Sequence, residues 1–219
     1  MKYHLLTWNE VHKQCKEVAK SIRRSGFYPD VIVALARSGF VPGRILSDLL
    51  SVEDLFGLKV HHVITGEMPE TGEVDVQNEY EAAIPYKAPL NIKGQNTLAV
   101  DDITGTGKSM TAAVQFMESL APKVLKTATL SYSTESIIRP DFFVSTVSED
   151  DWVLYPWNYF EDFGELIMKA KKKIKQKDPS AEVLSQAITD NFGVTLPMDD
   201  LKYVLEEMKE PRGTKTSKQ

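Results

Sequence analysis

The sequence lacks several features that mark whole classes of protein. Cys15 is the only cysteine among 219 residues, so no intrachain disulfide can form and a reducing compartment fits. No apolar run approaches the length needed to cross a membrane, and the first residues lack the apolar core of a signal peptide. The net charge of −5 argues against a general nucleic-acid surface. We therefore expect a cytoplasmic protein that binds neither membranes nor nucleic acids.

The remaining composition is that of a globular protein with an extra segment. With 42% hydrophobic residues, the 219-residue chain can form one domain plus an appendage. The apolar run Val31–Leu35 predicts a strand that is covered on both faces, and a helical pattern follows at Phe40–Leu50. We expect an α/β fold: a mainly parallel twisted sheet with helices on both faces and a site at the carboxyl ends of the strands. The composition changes at Tyr159, which predicts a core domain at 1–159 and a small helical extension at 160–219.

The most informative stretch is a strand, a glycine-rich turn and the start of a helix. Thr97–Val100 is a short apolar run that fits a buried strand, and Asp101 and Asp102 follow where it would end. Gly105 and Gly107 free the backbone of the turn, so that N–H groups and the dipole of the next helix can attract a phosphate group. Two carboxylates beside such a cradle do not bind phosphate; they are placed to bind hydroxyl groups or a metal ion. Phosphate next to a diol is the chemistry of a ribose 5-phosphate.

Two common phosphate motifs do not account for this stretch. Gly107-Lys108-Ser109 matches the end of the ATP-binding motif G-x-x-x-x-G-K-[ST], but Asp102 stands at the position of its first glycine. The dinucleotide motif G-x-G-x-x-G would begin at Gly105, and it fails because Met110 replaces the last glycine. A P-loop nucleotide kinase is therefore a weaker alternative. An ordinary tight turn would need neither the two acids nor so many small hydroxyl residues.

Three segments resemble the type I phosphoribosyltransferases, in the purine branch of that family. Val100-Asp-Asp-Ile-Thr-Gly-Thr-Gly-Lys-Ser109 is similar to their ribose-phosphate signature, V-D-D-x-x-D-T-G-x-T, except at Gly105. Asp30–Arg44 resembles the loop whose backbone amides and arginine hold the leaving pyrophosphate. The pattern D-x-W-x-x-x-P-W that ends at Trp157 resembles the purine-binding segment of xanthine–guanine-type enzymes. The extension lies outside this resemblance.

The resemblance implies an enzyme that transfers a phosphoribosyl group from 5-phosphoribosyl 1-diphosphate to a purine nitrogen and releases pyrophosphate. Mg²⁺ is the implied cofactor, because pyrophosphate leaves poorly without a cation. Asp101, Asp102 and Arg37 are the implied catalytic residues, with Asp102 also the implied metal ligand. The ring of Trp152 would stack on the base, and the backbone of Val153 would read the edge of the base. The expected substrate-binding residues are Ala36, Arg37, Ser38, Gly39, Asp101, Asp102, Thr104, Gly105, Thr106, Gly107, Lys108, Ser109, Trp152 and Val153.

The choice of base depends on two departures from the family pattern. In 6-oxopurine members, an Asp at the position of Gly105 handles a proton on the base, and a Lys at the position of Ser133 donates to the 6-oxo oxygen. Loss of that charge-assisted hydrogen bond typically costs about 1.5–3 kcal/mol. The 6-amino group of adenine needs only an acceptor, which a backbone carbonyl at Trp152 or Val153 can supply. We therefore expect an adenine phosphoribosyltransferase that makes AMP in purine salvage.

Alternatives stay open for the function and for the base segment. One alternative is a hypoxanthine, guanine or xanthine phosphoribosyltransferase. Another is a regulator that senses the ribosyl diphosphate without catalysis, although the overall acidity of the chain weighs against it. For Trp152, the alternative to base stacking is packing in a hydrophobic lid.

The two long segments outside these motifs allow coarser expectations. Thr65–Gln95 has no strong periodicity and lies where the family has its flexible catalytic hood, although a disordered excursion is an equal alternative. The extension has helical patterns at Ala181–Phe192 and Met198–Met208, and its charges balance. This balance favours a solvated lysine-rich face over a helix-turn-helix. We expect a disordered tail from Pro211 and a homodimer.

Overall fold

The computed structural model describes residues 2–64, 80–84, 90–148, 150–174 and 178–209. These residues form two compact units, which we call the sheet unit (Asn9–Glu149) and the helical unit (Met1–Trp8 with Asp150–Gln219). In chain order the elements are β1 (Lys2–Leu5), α1 (Trp8–Arg24), β2 (Val31–Ala36), α2 (Phe40–Leu50), β3 (Asp54–Lys59), β4 (His61–Ile64), β5 (Tyr80–Ala83), β6 (Asn96–Val100), β7 (Ile103–Thr104), α3 (Lys108–Glu118), β8 (Val124–Ala128), β9 (Ser131–Ser133), β10 (Ser145–Val147), β11 (Asp151–Leu154), α4 (Tyr159–Ile174), α5 (Ala181–Phe192) and α6 (Met198–Glu207).

The sheet unit is built around a four-stranded parallel sheet in the order β3-β2-β6-β8. Every side chain of Val31–Leu35 in β2 is buried, as expected for a strand that is covered on both faces. On one face, Met110 of α3 shares a hydrophobic core with Val33. On the other face α2 lies so close that a Cβ added to Gly43 would be 2.8 Å from the Cβ of Ala34. The predicted α/β fold, with a parallel sheet between helices, is confirmed.

Helix α1 has a strongly one-sided apolar pattern. Val11, Cys15, Val18 and Ile22 recur at helical spacing, and all four are fully buried. Burial raises the pKa of the Cys15 thiol to about 12. The thiol is therefore protonated at neutral pH, and Cys15 is a packing residue rather than a nucleophile.

A smaller parallel sheet, in the order β10-β9-β7, extends the sheet unit. Its short strand β7 connects the acidic pair to the glycine-rich turn, and Thr104 in β7 lies opposite Tyr132 in β9. The chain therefore leaves β7 and β9 at the same edge of this sheet. The turn 134–138, which follows β9, lies beside the glycine-rich turn for this reason.

The helical unit combines the two-stranded parallel sheet β1-β11 with helices α4, α5 and α6. Lys2 lies opposite Asp151 and Leu5 opposite Leu154, so both ends of the chain contribute to this unit. One hydrophobic core joins the strand to the three helices; its buried members are Leu154, Phe163, Leu166, Ile167, Ala170, Leu184, Ile188, Val194, Leu196, Leu201 and Val204. These units are divided differently from the expected domains 1–159 and 160–219, and that domain division stays a prediction.

Some expectations concern parts of the chain that the structure does not describe. Residues 65–79 and 85–89 of the expected hood, and the tail from Pro211, lie outside the described residues. Within the same stretch, β5 pairs antiparallel with β4. The expected homodimer and cytoplasmic location stay predictions.

Candidate active site

Two of the predicted loops lie at neighbouring strand ends in the sheet unit. Strands β2 and β6 pair in parallel, so the loop 36–39 and the pair Asp101-Asp102 leave the sheet at the same edge. Gly39 is packed between them: a Cβ at this position would lie 2.6 Å from the carbonyl oxygens of both Leu35 and Val100. Only a residue without a side chain lets the loop approach the two strand ends this closely.

The loop after β2 also carries the predicted pyrophosphate contact. The peptide bond between Ala36 and Arg37 is cis. Arg37 is exposed, whereas Ser38 is half-buried and Gly39 is buried. The loop therefore presents a guanidinium group to solvent at the edge where the acidic pair lies.

The acidic pair is anchored to its own backbone. Asp102 is only 4% exposed, and its Oδ1 accepts the N–H of Ile103 at 2.8 Å. Oδ1 of Asp101 accepts the N–H of Asp102 at 2.9 Å. Burial, and then the neighbouring charge of Asp102, raise the pKa of the Asp101 carboxyl well above its usual range. The pair is thus a crowded acidic site, which hydroxyl donors or a cation would relieve.

The donor set at this edge fits Mg²⁺ better than a metal held by protein alone. Among the described residues, no group of three or more His, Cys, Asp or Glu side chains is placed to hold a metal ion. Mg²⁺ is commonly bound through one or two carboxylates together with water and substrate oxygens. Asp101 and Asp102 supply two such carboxylates.

The glycine-rich turn after β7 is shaped for an anion. Gly107 has a φ of +84° and precedes α3, which begins at Lys108. The first N–H groups of a helix have no acceptor within the helix, so they are available to a ligand. Gly105 and Thr106 are exposed, which leaves the turn accessible. Thr104 and Ser109 lie at its two ends, in β7 and in the first turn of α3.

A second turn, 134–138, supports the glycine-rich turn, and no local pattern predicts this contact. The N–H of Ile137 donates to the carbonyl of Thr106 at 3.1 Å. A Cβ on Gly107 would lie 2.3 Å from Oγ of Ser136, whose hydroxyl donates to the carbonyl of Ile138 at 2.9 Å. Gly107 is therefore required both by its backbone conformation and by the contact with this turn.

The two departures from the family pattern have different surroundings. Among the described residues other than its chain neighbours, none has a heavy atom within 4 Å of a Cβ built at Gly105, so the missing side chain leaves open space there. Ser133, by contrast, is buried, and its hydroxyl donates to Oε2 of Glu135 at 2.9 Å. The charged group next to Ser133 is therefore a carboxylate, where the resemblance implies a lysine.

The predicted base segment lies in the helical unit, on β11. Hydrogen bonds from Lys2 N–H to Asp150 and from Leu6 N–H to Leu154 define its parallel pairing with β1. Alternate residues of a strand direct their N–H and C=O groups to opposite edges. Trp152 therefore directs its backbone groups to β1, and Val153 directs both of its groups to the other edge. No other described strand pairs with that edge.

Helix α4 holds the indole of Trp152. Trp152 is half-buried against the core of the helical unit, and its Nε1–H donates to Oδ1 of Asp162 at 3.4 Å. Nζ of Lys169 lies 5.8 Å from the centre of the indole ring and 2.6 Å from Oε1 of Glu165. Burial lowers the pKa of Lys169, but the hydrogen bond and charge of Glu165 outweigh it, so that the pKa is raised and the ammonium stays charged.

The structure thus brings most of the predicted site residues together in the sheet unit. The loop 36–39, the acidic pair and the turn 104–109 belong to that unit, whereas Trp152 and Val153 belong to the helical unit. Sequence reasoning missed the turn 134–138 and the partners of Trp152 on α4. The spacing of Asp162 and Lys169 on one helix was visible, but nothing local linked that helix to Trp152.

The family model that matches this chain and two similar curated proteins all name phosphoribosyltransferases. The model of the phosphoribosyl transferase domain matches residues 4–163. A xanthine-guanine phosphoribosyltransferase of Ruegeria sp. is 26% identical over 158 residues, covering 70% of this chain and 84% of that protein. A hypoxanthine-guanine phosphoribosyltransferase of Schizosaccharomyces pombe is 23% identical over 179 residues, covering 69% of this chain and 86% of that protein.

A solved structure agrees with these relatives. The purine phosphoribosyltransferase of Pyrococcus horikoshii has a TM-score of 0.59 and 26% identity, covering 72% of this chain and 94% of that one. The expected preference for adenine finds no support here, because the relatives named above with a base act on xanthine, guanine or hypoxanthine. Within the described residues, no helix is both long and apolar enough to cross a membrane. The chain belongs to the phosphoribosyl transferase domain family.

Proposed function

We propose that this protein transfers a phosphoribosyl group from 5-phosphoribosyl 1-diphosphate to a 6-oxopurine base such as xanthine, guanine or hypoxanthine. The products are the nucleoside 5′-monophosphate and pyrophosphate. One observation carries the proposal: Gly39 packs against the ends of both β2 and β6, which brings the loop 36–39 to the acidic pair. The names of the curated relatives support the 6-oxopurine class.

The glycine-rich turn is the proposed binding site of the 5-phosphate. Thr104, Gly105, Thr106, Gly107, Lys108 and Ser109 line this turn. Backbone N–H groups there, with the positive end of the α3 dipole, would bind the dianion without a side-chain base. The turn 134–138 keeps Gly107 in place through the hydrogen bond from Ile137 to Thr106.

The acidic pair is the proposed binding site of the ribose hydroxyls. Asp101 and Asp102 would accept hydrogen bonds from the 2′- and 3′-hydroxyls, which fixes the sugar relative to the bound phosphate. Positive charge develops on the ribose as the pyrophosphate departs, and nearby carboxylates stabilise that charge. Positioning and electrostatics, rather than a covalent nucleophile, account for the rate in this proposal.

The loop 36–39 is the proposed binding site of pyrophosphate. Ala36 and Ser38 contribute backbone groups, and Gly39 lets the loop pack against the strand ends. Arg37 contributes a guanidinium that can bind two phosphate oxygens at once. Asp102, together with Asp101, would hold Mg²⁺. When bound, this cation neutralises the departing pyrophosphate and relieves the crowded carboxylates.

The base would contact Trp152 and Val153. An indole offers a flat surface on which a purine stacks. The outer edge of β11 presents both the N–H and the C=O of Val153, so this edge can donate a hydrogen bond to an oxo group as well as accept one from a ring N–H. The N–H of Val153 would thus donate to an oxo group in place of the lysine that the family pattern has at the position of Ser133.

Nucleotide formation tests the proposal, with adenine, hypoxanthine, guanine and xanthine each offered with the ribosyl diphosphate and Mg²⁺. We expect kcat/KM for at least one 6-oxopurine to exceed that for adenine. A clear preference for adenine would overturn the assignment of the base and leave the reaction class intact. Tight binding of the ribosyl diphosphate without transfer to any base would instead support a sensing regulator.

A further inference from the structure

The strand that carries the proposed base contacts is part of the core of the C-terminal helices. Leu154 at the end of β11 is fully buried in the same hydrophobic cluster as Leu184 of α5 and Leu201 of α6. Trp152 packs against the same cluster from its margin. Val153 lies between these two anchored residues, and its backbone N–H and C=O point away from β1. The position of these two groups therefore depends on the helices.

The helices hold the other strand of this small sheet as well. Tyr3 in β1 makes an edge-to-face contact with Phe192 at the end of α5, with ring centres 5.5 Å apart. The hydroxyl of Tyr159 in α4 donates to the carbonyl of Leu6 at 3.0 Å. Strand β11 is thus held by β1 along one edge and by α4, α5 and α6 through its side chains.

We propose that helices α4–α6 are a positioning element for base recognition, which holds Trp152 and Val153 in their base-binding geometry. The phosphoribosyl transferase domain match ends at residue 163, so α5 and α6 lie beyond it. This inference rests on the proposed function, because it takes Trp152 and Val153 to contact the base. It assigns a role in base affinity to α5 and α6, which the family match does not include.

The positioning role predicts a selective effect on one substrate. The full-length variant Leu184→Ala removes buried side-chain volume from α5 and leaves every residue of β11 unchanged. Small displacements of a binding group can cost up to about 10²-fold, and we expect KM for the 6-oxopurine to rise by roughly tenfold. KM for the ribosyl diphosphate should change less than about twofold, because its proposed contacts lie in the sheet unit.

Amide hydrogen exchange provides a readout that is independent of activity. The N–H of Leu154 points toward β1, so its protection reports on the β1-β11 pairing. We expect Leu184→Ala to increase exchange at Leu154 and to leave the amides of Leu98–Val100 in β6 unchanged. Ile188→Val removes a single methylene from the same core, and it provides a milder variant should Leu184→Ala fail to fold.

Two controls separate this inference from general loss of stability. Met117→Ala removes a fully buried side chain from the sheet unit, and we expect it to spare KM for the base. Val183→Ala changes a residue of α5 that is 41% exposed, and we expect no effect. Equal rises in KM for both substrates, or the same rise in Met117→Ala, would overturn the inference.

Trp152→Ala distinguishes failure of the inference from failure of the proposed function. If Trp152→Ala weakens base binding while Leu184→Ala and Ile188→Val do not, the positioning role is wrong and the base contact stands. If Trp152→Ala leaves base binding unchanged, the base contact itself is wrong, and the positioning role falls with it.

Discussion

The two compact units hold their candidate contacts by different physical means. In the sheet unit, Gly39 of the loop 36–39 packs against backbone carbonyls, and Gly107 of the turn 104–109 packs against side chains of the turn 134–138. Neither glycine has room for a methyl group. In the helical unit, Trp152 and Val153 lie on a short strand that side-chain packing holds in place. The candidate contacts of the sheet unit are thus mainly backbone groups, whereas those of the helical unit depend on a hydrophobic core.

This difference predicts which parts of the proposed site can change without loss of binding. The proposed contacts to phosphate and ribose are the same for every base, and Gly39 and Gly107 in these loops leave no room for a side chain. A strand that rests on side-chain packing can be supported by different cores, as the helices α5 and α6 beyond the family match illustrate. We therefore expect substitutions in the sheet unit to affect the ribosyl diphosphate, and substitutions in the helical unit to affect the base.

The largest effect should come from the acidic pair. Asp101→Asn combined with Asp102→Asn removes the proposed ribose and Mg²⁺ ligands, and we expect transfer to fall below detection while the fold survives. Asp199→Asn combined with Asp200→Asn is a matched control, because this adjacent acidic pair lies in the first turn of α6. Steady-state kinetics and circular dichroism measure both variants. An active and folded double variant of the first pair would remove it from the mechanism.

The next largest effect separates two glycines of the sheet unit. Gly39→Ala places a Cβ 2.6 Å from two carbonyl oxygens, and overpacking against rigid backbone costs about 1–3 kcal/mol or more. Gly105→Ala meets no atom within 4 Å, so we expect a change within about 0.5 kcal/mol. Denaturant unfolding and binding of the ribosyl diphosphate check both variants. Similar stabilities for the two would contradict the packing argument.

A smaller effect is expected at Trp152 in the helical unit. Loss of stacking in Trp152→Ala should weaken base binding by about 1–3 kcal/mol and leave binding of the ribosyl diphosphate nearly unchanged. Trp152→Phe keeps an aromatic face and loses only the indole donor to Asp162, so it should retain most of the affinity. Calorimetry with each substrate measures the difference. Equal losses for both substrates would indicate packing in a hydrophobic lid instead.

Local patterns predicted much of the fold. The helix expected at Ala181–Phe192 has those bounds, because Ser180 accepts the N–H of Val183 at its start and Gly193 ends it with a φ of +67°. The buried strand before the acidic pair also follows from its short apolar run. The caps of the helix lie within a few residues of its ends, and the apolar run of the strand is itself a local pattern, so the sequence contains both signals.

Long-range pairing left no comparable signal. Nε2 of His4 lies 3.2 Å from Oδ1 of Asp151 across the β1-β11 pair, although the two residues are 147 positions apart in the sequence. The turn 134–138 likewise reaches Gly107 from a distant part of the chain, through Ser136 and Ile137. The expectation of adenine, which finds no support among the relatives, was based on a missing side chain, and that is visible in a sequence. The outward direction of the Val153 N–H depends on pairing with β1, which is not visible there.

The smallest expected effect concerns the charge of the acidic pair in the absence of substrate. Burial and the charge of Asp102 raise the pKa of Asp101 in the folded protein, so the ionised form destabilises the fold. Below pH of about 4 the group is protonated in both folded and unfolded chains, and no cost arises. As the pH rises, the unfolded chain loses this proton first, and the cost grows until the pH passes the raised pKa of the folded state.

Asp101→Asn removes that cost and keeps an oxygen that can accept the N–H of Asp102. We therefore expect the Tm of Asp101→Asn to match that of the wild type near pH 4 and to exceed it by a few degrees at neutral pH. Val183→Ala in the helical unit should show no such pH dependence, because this exposed apolar side chain is not ionisable. Scanning calorimetry across this pH range measures both variants. A Tm difference that shrinks as the pH rises would mean that the acidic pair stabilises the substrate-free fold. The acidic pair would then not be a destabilising charged site, and the proposed contrast between the sheet unit and the apolar core of the helical unit would be wrong.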